Sequence, residues 1–174
     1  RGAIPAQADG TVVEYKVTVM VGDGSAIVFP DNAADPLYQL YAGPLEPVYC
    51  TDFEGDPFAA GWTRSGATLW AWGEPRGAPG SGDPDVAASG LNVVGMDLGG
   101  AGRDGVYDAD QTTELVSPVI DVSGRRDVRL QYRRWLGVED GFYDQASILA
   151  DGAEVWRNFA SPTEDGSTHH RDHE

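Results

Sequence analysis

The chain has 174 residues, of which 12 are basic and 28 acidic, giving a formal net charge of −16. Such a charge repels phosphate backbones and anionic lipid, which argues against a nucleic-acid partner or a membrane surface. Apolar residues make up 41% of the chain, which is enough for a packed core and excludes wholesale disorder. No apolar run approaches the roughly 18 residues of a membrane span, so membrane insertion is not expected. The acidic, glycine-rich composition favours a secreted, extracellular protein.

The first 44 residues predict a small set of strands. Residues 12–21 alternate apolar and polar side chains, which indicates a half-buried strand. Residues 22–25 (Gly-Asp-Gly-Ser) favour a turn, so residues 25–29 are expected to return as the hairpin partner. Residues 37–41 form a third candidate strand. Three strands bury both faces poorly, so we interpret residues 1–44 as the end of a β-sandwich module or as an appendage.

A second region begins at residue 48, after a linker that contains Pro44 and Pro47. Gly, Pro and Asp loops separate short strand candidates, and no helical periodicity of three or more turns occurs. This pattern predicts an antiparallel sandwich or jelly roll. The strand candidates are residues 48–54, 61–64, 69–72, 91–98, 114–122, 128–136, 144–150 and 154–159.

Three carboxylates are candidate metal ligands. In a strand, Asp52 and Glu54 would point to one side, about 7 Å apart, with Phe53 on the other side as a core anchor. The pair suits either a solvated face or the hard oxygen ligands of Ca²⁺. Asp144 shares parity with the apolar residues of its predicted strand, so burial would require a metal or an Arg as partner. Alternatively, Asp144 caps the turn at Gly141.

Two tryptophans and the terminal histidines are the other candidate functional residues. Trp70 and Trp72 share one face of a predicted strand and could form an exposed sugar-stacking platform, although such aromatics also build sandwich cores. All three histidines lie in the last six residues, 169–174, without the Glu of a zinc-peptidase helix. We expect a polar tail or a connection into a further strand. No nucleophile elbow, phosphate loop or Ser/His/Asp set is evident, so catalysis within this chain is not expected.

The order of motifs resembles a known group of modules. "TDFEGDPFAAGWTR" followed by "WAWGEP" resembles the opening of MAM-type jelly rolls, and "TELVSPVIDVSG" followed by "VRLQYRRWLGVEDGFYDQASILADG" resembles their central strands. Similar strands occur in cleaved-adhesin modules and in modules attached to secreted bacterial peptidases of the immune inhibitor A type. The resemblance covers residues 48–174. The pattern usually continues past "VWRN", which implies strands beyond residue 174, and residues 12–43 resemble the last strands of an immunoglobulin-like module that precedes it.

The resemblance implies an all-β fold: a MAM-like antiparallel β-sandwich (jelly roll) at residues 48–174, truncated at its C-terminus. Residues 1–44 would be the C-terminal strands of an immunoglobulin-like module. It also implies a structural Ca²⁺ held by Glu54, Asp52 and Asp144, although the paired cysteines of animal MAM modules are absent.

The implied function is that of a non-catalytic accessory or adhesion module of a secreted bacterial protein such as a peptidase. Its partners would be neighbouring domains and a glycan or protein ligand. Two alternatives stay open: a carbohydrate-binding module that uses Trp70 and Trp72, and a fragment of a metal-dependent hydrolase that uses the terminal histidines.

Overall fold

A computed structural model describes residues 2–30, 35–66, 70–77, 83–101 and 105–161, together with the backbone of residues 169–173. These residues contain no helix, and therefore none long and apolar enough to cross a membrane. Their strands are β1 (Thr11–Tyr15), β2 (Val17–Met20), β3 (Ala26–Phe29), β4 (Tyr38–Ala42), β5 (Thr63–Gly66), β6 (Trp70–Gly73), β7 (Val93–Met96), β8 (Thr113–Val116), β9 (Trp135–Glu139), β10 (Ser147–Ala150), β11 (Ala153–Arg157) and β12 (His169–His173).

The strands pair two by two, always antiparallel: β1 with β4, β2 with β3, β5 with β8, β6 with β7, β9 with β12 and β10 with β11. The predicted all-β, antiparallel class is therefore confirmed. The chain divides into two compact units. The first comprises Arg1–Leu45 and Tyr132–Glu174, and the second comprises Glu46–Gln131. The predicted division into modules at residues 1–44 and 48–174 stays a prediction.

The N-terminal hairpin forms as predicted, but the single strand expected over residues 12–21 is two strands. Its first part, β1, pairs with β4, and its second part, β2, pairs with β3. The two parts therefore have different partners, and Lys16 separates them. The hairpin turn closes with hydrogen bonds from Val21 N to Ser25 O and from Gly24 N to Val21 O, both 2.9 Å. Gly24 takes a φ of 85°, which favours glycine.

Several predicted strands of the second region are shorter than expected or absent. Residues 48–54 form no strand. The strand predicted at 114–122 ends at Val116, just before Ser117 and Pro118, because proline supplies no N–H to a ladder. The strand predicted at 128–136 begins only at Trp135. In contrast, residues 169–173, expected to be a tail or a connection, form β12.

The buried residues of the first unit include polar side chains as well as apolar ones. Tyr38 and Val138 are buried apolar residues, and Asp140 and Asn158 are buried polar residues, each of the latter only 1% exposed. Tyr38 lies opposite Tyr15 in the β1–β4 pair, with ring centroids 5.4 Å apart. All four packed groups belong to the first unit, so its interior depends on hydrogen bonds as well as on apolar contact.

Candidate functional site

The segment with the candidate ligands Asp52 and Glu54 is a turn, and the strand predicted for it is wrong. Asp52 Oδ1 accepts a hydrogen bond from Glu54 N at 3.1 Å, and Thr51 Oγ1 accepts one from Phe53 N at 3.2 Å. Phe53 has a φ of 59°, in the left-handed region. Short polar side chains that bond to nearby backbone N–H groups compete with a strand ladder. That competition explains why a strand-like pattern folds as a turn.

Glu54 acts as a clamp on a distant loop. Its Oε1 accepts hydrogen bonds from Leu91 N at 2.8 Å and from Asn92 N at 2.9 Å, immediately before β7. Gly90 has a φ of 64°, and a Cβ added there would lie 2.2 Å from Glu54 Oε1. The carboxylate can therefore reach the two amides only because residue 90 has no side chain. We call Glu54, Gly90, Leu91 and Asn92 the Glu54 clamp.

Aromatic side chains also contact the turn that contains Asp52 and Glu54. The rings of Phe53 and Trp62 meet edge to face, with centroids 5.4 Å apart. Trp62 Nε1 donates to the Tyr49 hydroxyl at 2.9 Å, and Trp72 Nε1 donates to Phe53 O at 2.6 Å. The turn is thus tied both to its own aromatic neighbours and to β6.

The two candidate sugar-binding tryptophans are half-buried. In the β6–β7 pair, Trp70 lies opposite Met96 and Trp72 lies opposite Val94. The Trp72 indole N–H is already bonded to Phe53 O, whereas Trp70 Nε1 is buried without a hydrogen-bond partner among the described residues. Because Trp72 anchors the Phe53 turn, it has a structural role whether or not it contacts a ligand. Sugar binding by these residues stays a prediction.

Asp144 lies in a turn before β10 and not at the start of the strand, since β10 begins at Ser147. Asp144 N donates to Asp140 O at 3.1 Å, and Asp144 O accepts from Asn158 Nδ2 at 2.9 Å. The carboxylate of Asp140 caps the turn at Gly141, since its Oδ1 accepts a hydrogen bond from Phe142 N at 3.0 Å. A cap by Asp144 stays a prediction.

Asp140 is the buried counterpart of Glu54. Besides Phe142 N, its carboxylate accepts hydrogen bonds from Ser161 N at 3.0 Å and from the Ser161 hydroxyl. The adjoining Gly141 is so close to the chain beyond β11 that an added Cβ would lie 2.8 Å from the carbonyl carbon of Phe159. The carboxylate therefore has the hydrogen-bond donors that a buried charge requires.

Asn158 completes this network by bonding three separate stretches of backbone. Its Nδ2 donates to Glu139 O at 3.1 Å and to Asp144 O at 2.9 Å, while its Oδ1 accepts from Ala146 N at 2.9 Å. We call Asp140, Asn158 and Ser161 the Asp140 network. None of these three residues was predicted from the sequence. The only local signal was the Asp140-Gly141 pair, which favours a turn, because the contacts of Asn158 join residues 12 to 19 positions apart.

The candidate calcium ligands can be tested for fit. In the described residues, no group of three or more His, Cys, Asp or Glu side chains is placed to hold a metal ion. Asp52 and Glu54 each use one carboxylate oxygen for backbone N–H bonds, and each keeps a second oxygen. An open depression of about 370 Å³ is lined by Cys50, Thr51 and Asp52. This turn thus offers hard oxygen donors, of which Ca²⁺ needs six to eight.

The terminal histidines lie on β12, opposite β9. In the register, His169 is opposite Glu139 and His173 is opposite Trp135. Positions 169 and 173 share a face, but a strand rises about 3.3 Å per residue, so their Cα atoms are roughly 13 Å apart. The zinc role considered for these histidines stays a prediction.

Comparison with known proteins finds a similarity to a bacterial peptidase. The chain is 32% identical over 151 residues to Bacillopeptidase F of Bacillus subtilis (strain 168), a match that covers 84% of this chain. It spans only 9% of the length of that peptidase. No protein-family profile matches the chain, and no solved structure does. The chain is therefore similar to a small part of a bacterial peptidase.

Proposed function

We propose that the chain is a non-catalytic accessory module of a secreted bacterial peptidase, folded as a β-sandwich of jelly-roll type. The observation that carries this proposal is the match to a stretch amounting to 9% of Bacillopeptidase F. Most of that peptidase lies outside the match. A short matching stretch in a much longer peptidase suits a module that positions, protects or attaches the catalytic part.

The polar side chains that bond to distant backbone groups support a role in positioning neighbouring domains. Glu54, Asp140 and Asn158 all bond to backbone amides or carbonyls of loops far away in sequence. A carboxylate used in this way fixes loop geometry, whereas a nucleophile or general base must face a substrate. The module would then offer its partner domains a set of fixed loops.

A deletion in a parent peptidase tests the proposal. We expect that removal of the region matching this chain leaves cleavage of a small peptide substrate unchanged, but changes secreted yield or cleavage of large protein substrates. The control is the full-length peptidase in the same host, assayed in the culture medium. Loss of small-peptide cleavage on deletion, or peptide cleavage by the isolated 174-residue chain, would contradict it.

We also propose a structural Ca²⁺ at the Asp52–Glu54 turn. Support comes from the second carboxylate oxygens of Asp52 and Glu54 and from the open depression that Asp52 lines together with Cys50 and Thr51. A ligand that binds only the native state stabilises it by about 2.7 kcal/mol at one hundred times its dissociation constant. We therefore expect the melting temperature to rise with Ca²⁺ and to fall with chelator.

Two substitutions at residue 54 separate the calcium role from the clamp. Glu54→Gln keeps an oxygen that can accept from Leu91 N and Asn92 N, so the fold should persist while the calcium response weakens. Glu54→Ala removes both functions. An unchanged midpoint in the wild-type chain on addition of Ca²⁺ would remove the calcium proposal and leave the clamp intact.

A further inference from the structure

Two neighbouring aromatic side chains, Phe142 and Tyr143, are exposed in the turn between β9 and β10. Phe142 is 61% exposed and Tyr143 is 48% exposed, the two largest exposed fractions among the Phe, Tyr and Trp side chains that the structure describes. Their rings contact each other edge to face, with centroids 5.1 Å apart and planes at 78°. We call Phe142 and Tyr143 the aromatic corner. Single exposed apolar residues are ordinary, whereas contiguous exposed apolar surface marks an interaction site.

The Asp140 network fixes the backbone that carries the aromatic corner. Phe142 N donates to the Asp140 carboxylate at 3.0 Å, and Tyr143 N donates to Asp140 O at 2.8 Å. The buried Asn158 side chain donates to Asp144 O at 2.9 Å, so the turn is held at its other end as well. Because the backbone is already ordered, little conformational entropy remains to be lost when a partner binds. Aromatic side chains in such a setting are typical of the residues that dominate binding energy.

The sequence around the aromatic corner is acidic. Residues 139–145 read Glu-Asp-Gly-Phe-Tyr-Asp-Gln, with three carboxylates and no basic residue. Asp140 is buried among its hydrogen-bond donors, whereas Glu139 and Asp144, which flank the rings in sequence, are half-buried. The chain as a whole has a net charge of −16. This negative charge favours a cationic partner over an anionic one.

Other aromatic rings of this chain have a guanidinium group over one face. Arg64 lies over Phe58, with Cζ 4.5 Å from the ring centroid, and Arg134 lies over Trp156 at 3.8 Å. The face of an aromatic ring is negative, so it attracts a cation, and the attraction grows as the cation is desolvated. The aromatic corner offers the same recognition to a basic side chain from outside this turn, with carboxylates beside it.

We propose that the aromatic corner is a docking site for a basic polypeptide segment, which places an arginine or lysine side chain against the Phe142 and Tyr143 rings. The cationic group lies over an exposed ring face, and Glu139 and Asp144 supply the opposite charge. The segment can belong to a neighbouring domain or to a separate protein, because the chemistry that is recognised is the same. The contact is small and charged, so binding is weak and decreases as salt screens the charges.

Titration of the 174-residue chain with two synthetic peptides, followed by nuclear magnetic resonance, tests this inference. The probe is the blocked peptide Gly-Arg-Gly-Arg-Gly, and its matched control replaces both arginines with citrulline, which keeps the shape of arginine without the charge. The arginine peptide should shift the amide resonances of Phe142 and Tyr143, and less so at high salt. Equal shifts with the citrulline peptide, or no shift with the arginine peptide at millimolar concentration, would overturn the inference.

Substitutions that keep the net charge separate recognition by the rings from general attraction to an acidic chain. Phe142→Leu with Tyr143→Leu retains apolar side chains but removes both rings, so it should weaken binding of the arginine peptide at least about fivefold. Phe142→Leu alone should give a smaller loss and guards against unfolding of the double variant. Leu149→Ala is the matched control, because Leu149 is 58% exposed in the same unit, and it should bind like the wild-type chain. Undiminished binding in the leucine variants, or an equal loss in Leu149→Ala, would overturn the inference.

Discussion

Two carboxylates in this chain accept hydrogen bonds from backbone amides in the same way, but one of them is exposed and the other is buried. Glu54, in the second unit, accepts hydrogen bonds from Leu91 N and Asn92 N in an exposed turn. Asp140, in the first unit, accepts from Phe142 N and Ser161 N and is 1% exposed. Each carboxylate joins segments distant in sequence. Water can replace the partners of Glu54 when its bonds break, but it cannot readily reach those of Asp140.

We therefore expect burial, more than the number of hydrogen bonds, to set the free-energy cost of breaking such a contact. A typical intramolecular hydrogen bond contributes about 1 kcal/mol net, but a buried polar group left without a partner costs about 1 to 3 kcal/mol. The Asp140 network should therefore dominate the stability of its unit, while the Glu54 clamp should mainly fix a loop. The predictions below test that ranking.

The largest effect is expected for Asn158→Ala. The substitution leaves Glu139 O, Asp144 O and Ala146 N without their side-chain partner, so we expect a loss of at least about 3 kcal/mol in the free energy of unfolding. Urea denaturation measures this loss in the free energy of unfolding. Asn92→Ala is the control, because the Asn92 side chain makes no hydrogen bond with a described residue, and its effect should stay within about 0.5 kcal/mol. Equal effects of the two substitutions would refute the ranking.

An intermediate effect is expected for Gly90→Ala, a loss of about 2 kcal/mol in the free energy of unfolding. The new Cβ would meet Glu54 Oε1, and the φ of 64° disfavours a side chain. The same substitution in a Glu54→Ala background should cost less, since the colliding carboxylate is gone and only the backbone strain remains. A double-mutant cycle by urea denaturation measures this coupling. Strictly additive effects would show that Glu54 does not lie against Gly90.

The smallest effect concerns two exposed turns, one in each unit. Hydrogen bonds from Ser25 lower the pKa of Asp23 below its ordinary value of 3.8, and hydrogen bonds from Ser123 lower the pKa of Asp121 in the same way. A carboxyl with a lowered folded-state pKa contributes stability above its unfolded-state pKa, and this contribution is lost as pH falls through the folded-state pKa. Asp23→Asn and Asp121→Asn should each flatten the acid limb of the stability curve slightly. A steeper acid limb in either variant would contradict this.

The sequence predicted those features that depend on neighbouring residues. The period-two pattern and the Gly-Asp-Gly-Ser turn predicted the hairpin that β2 and β3 form. The pattern could not show that β1 and β2 pair with different strands, because strand partners are set by contacts beyond the segment. Likewise, the alternation at residues 48–54 resembled a strand, yet the side chains of Thr51 and Asp52 bond to the backbone and form a turn.

The candidate site was predicted only in part, because its contacts also join residues that are distant in sequence. Glu54 was predicted as a calcium ligand, which stays a prediction, and its bonds to the amides of residues 91 and 92 were not predicted because these residues are 37 and 38 positions away. Asn158 was not recognised, because an asparagine after a strand has no distinctive local signal. Its importance comes from burial and from three backbone partners, which only the fold brings together.

Native-state hydrogen exchange compares the two carboxylate sites most directly. The Ala146 amide is bonded to the buried Asn158 side chain, whereas the Leu91 and Asn92 amides are bonded to the exposed Glu54. Amides that exchange only by unfolding of their whole unit are the most protected, and those released by local opening exchange far sooner. We predict slow exchange at Ala146, close to the unfolding of the first unit, and fast exchange at Leu91 and Asn92. Protection at Leu91 and Asn92 equal to or greater than that at Ala146 would contradict the account.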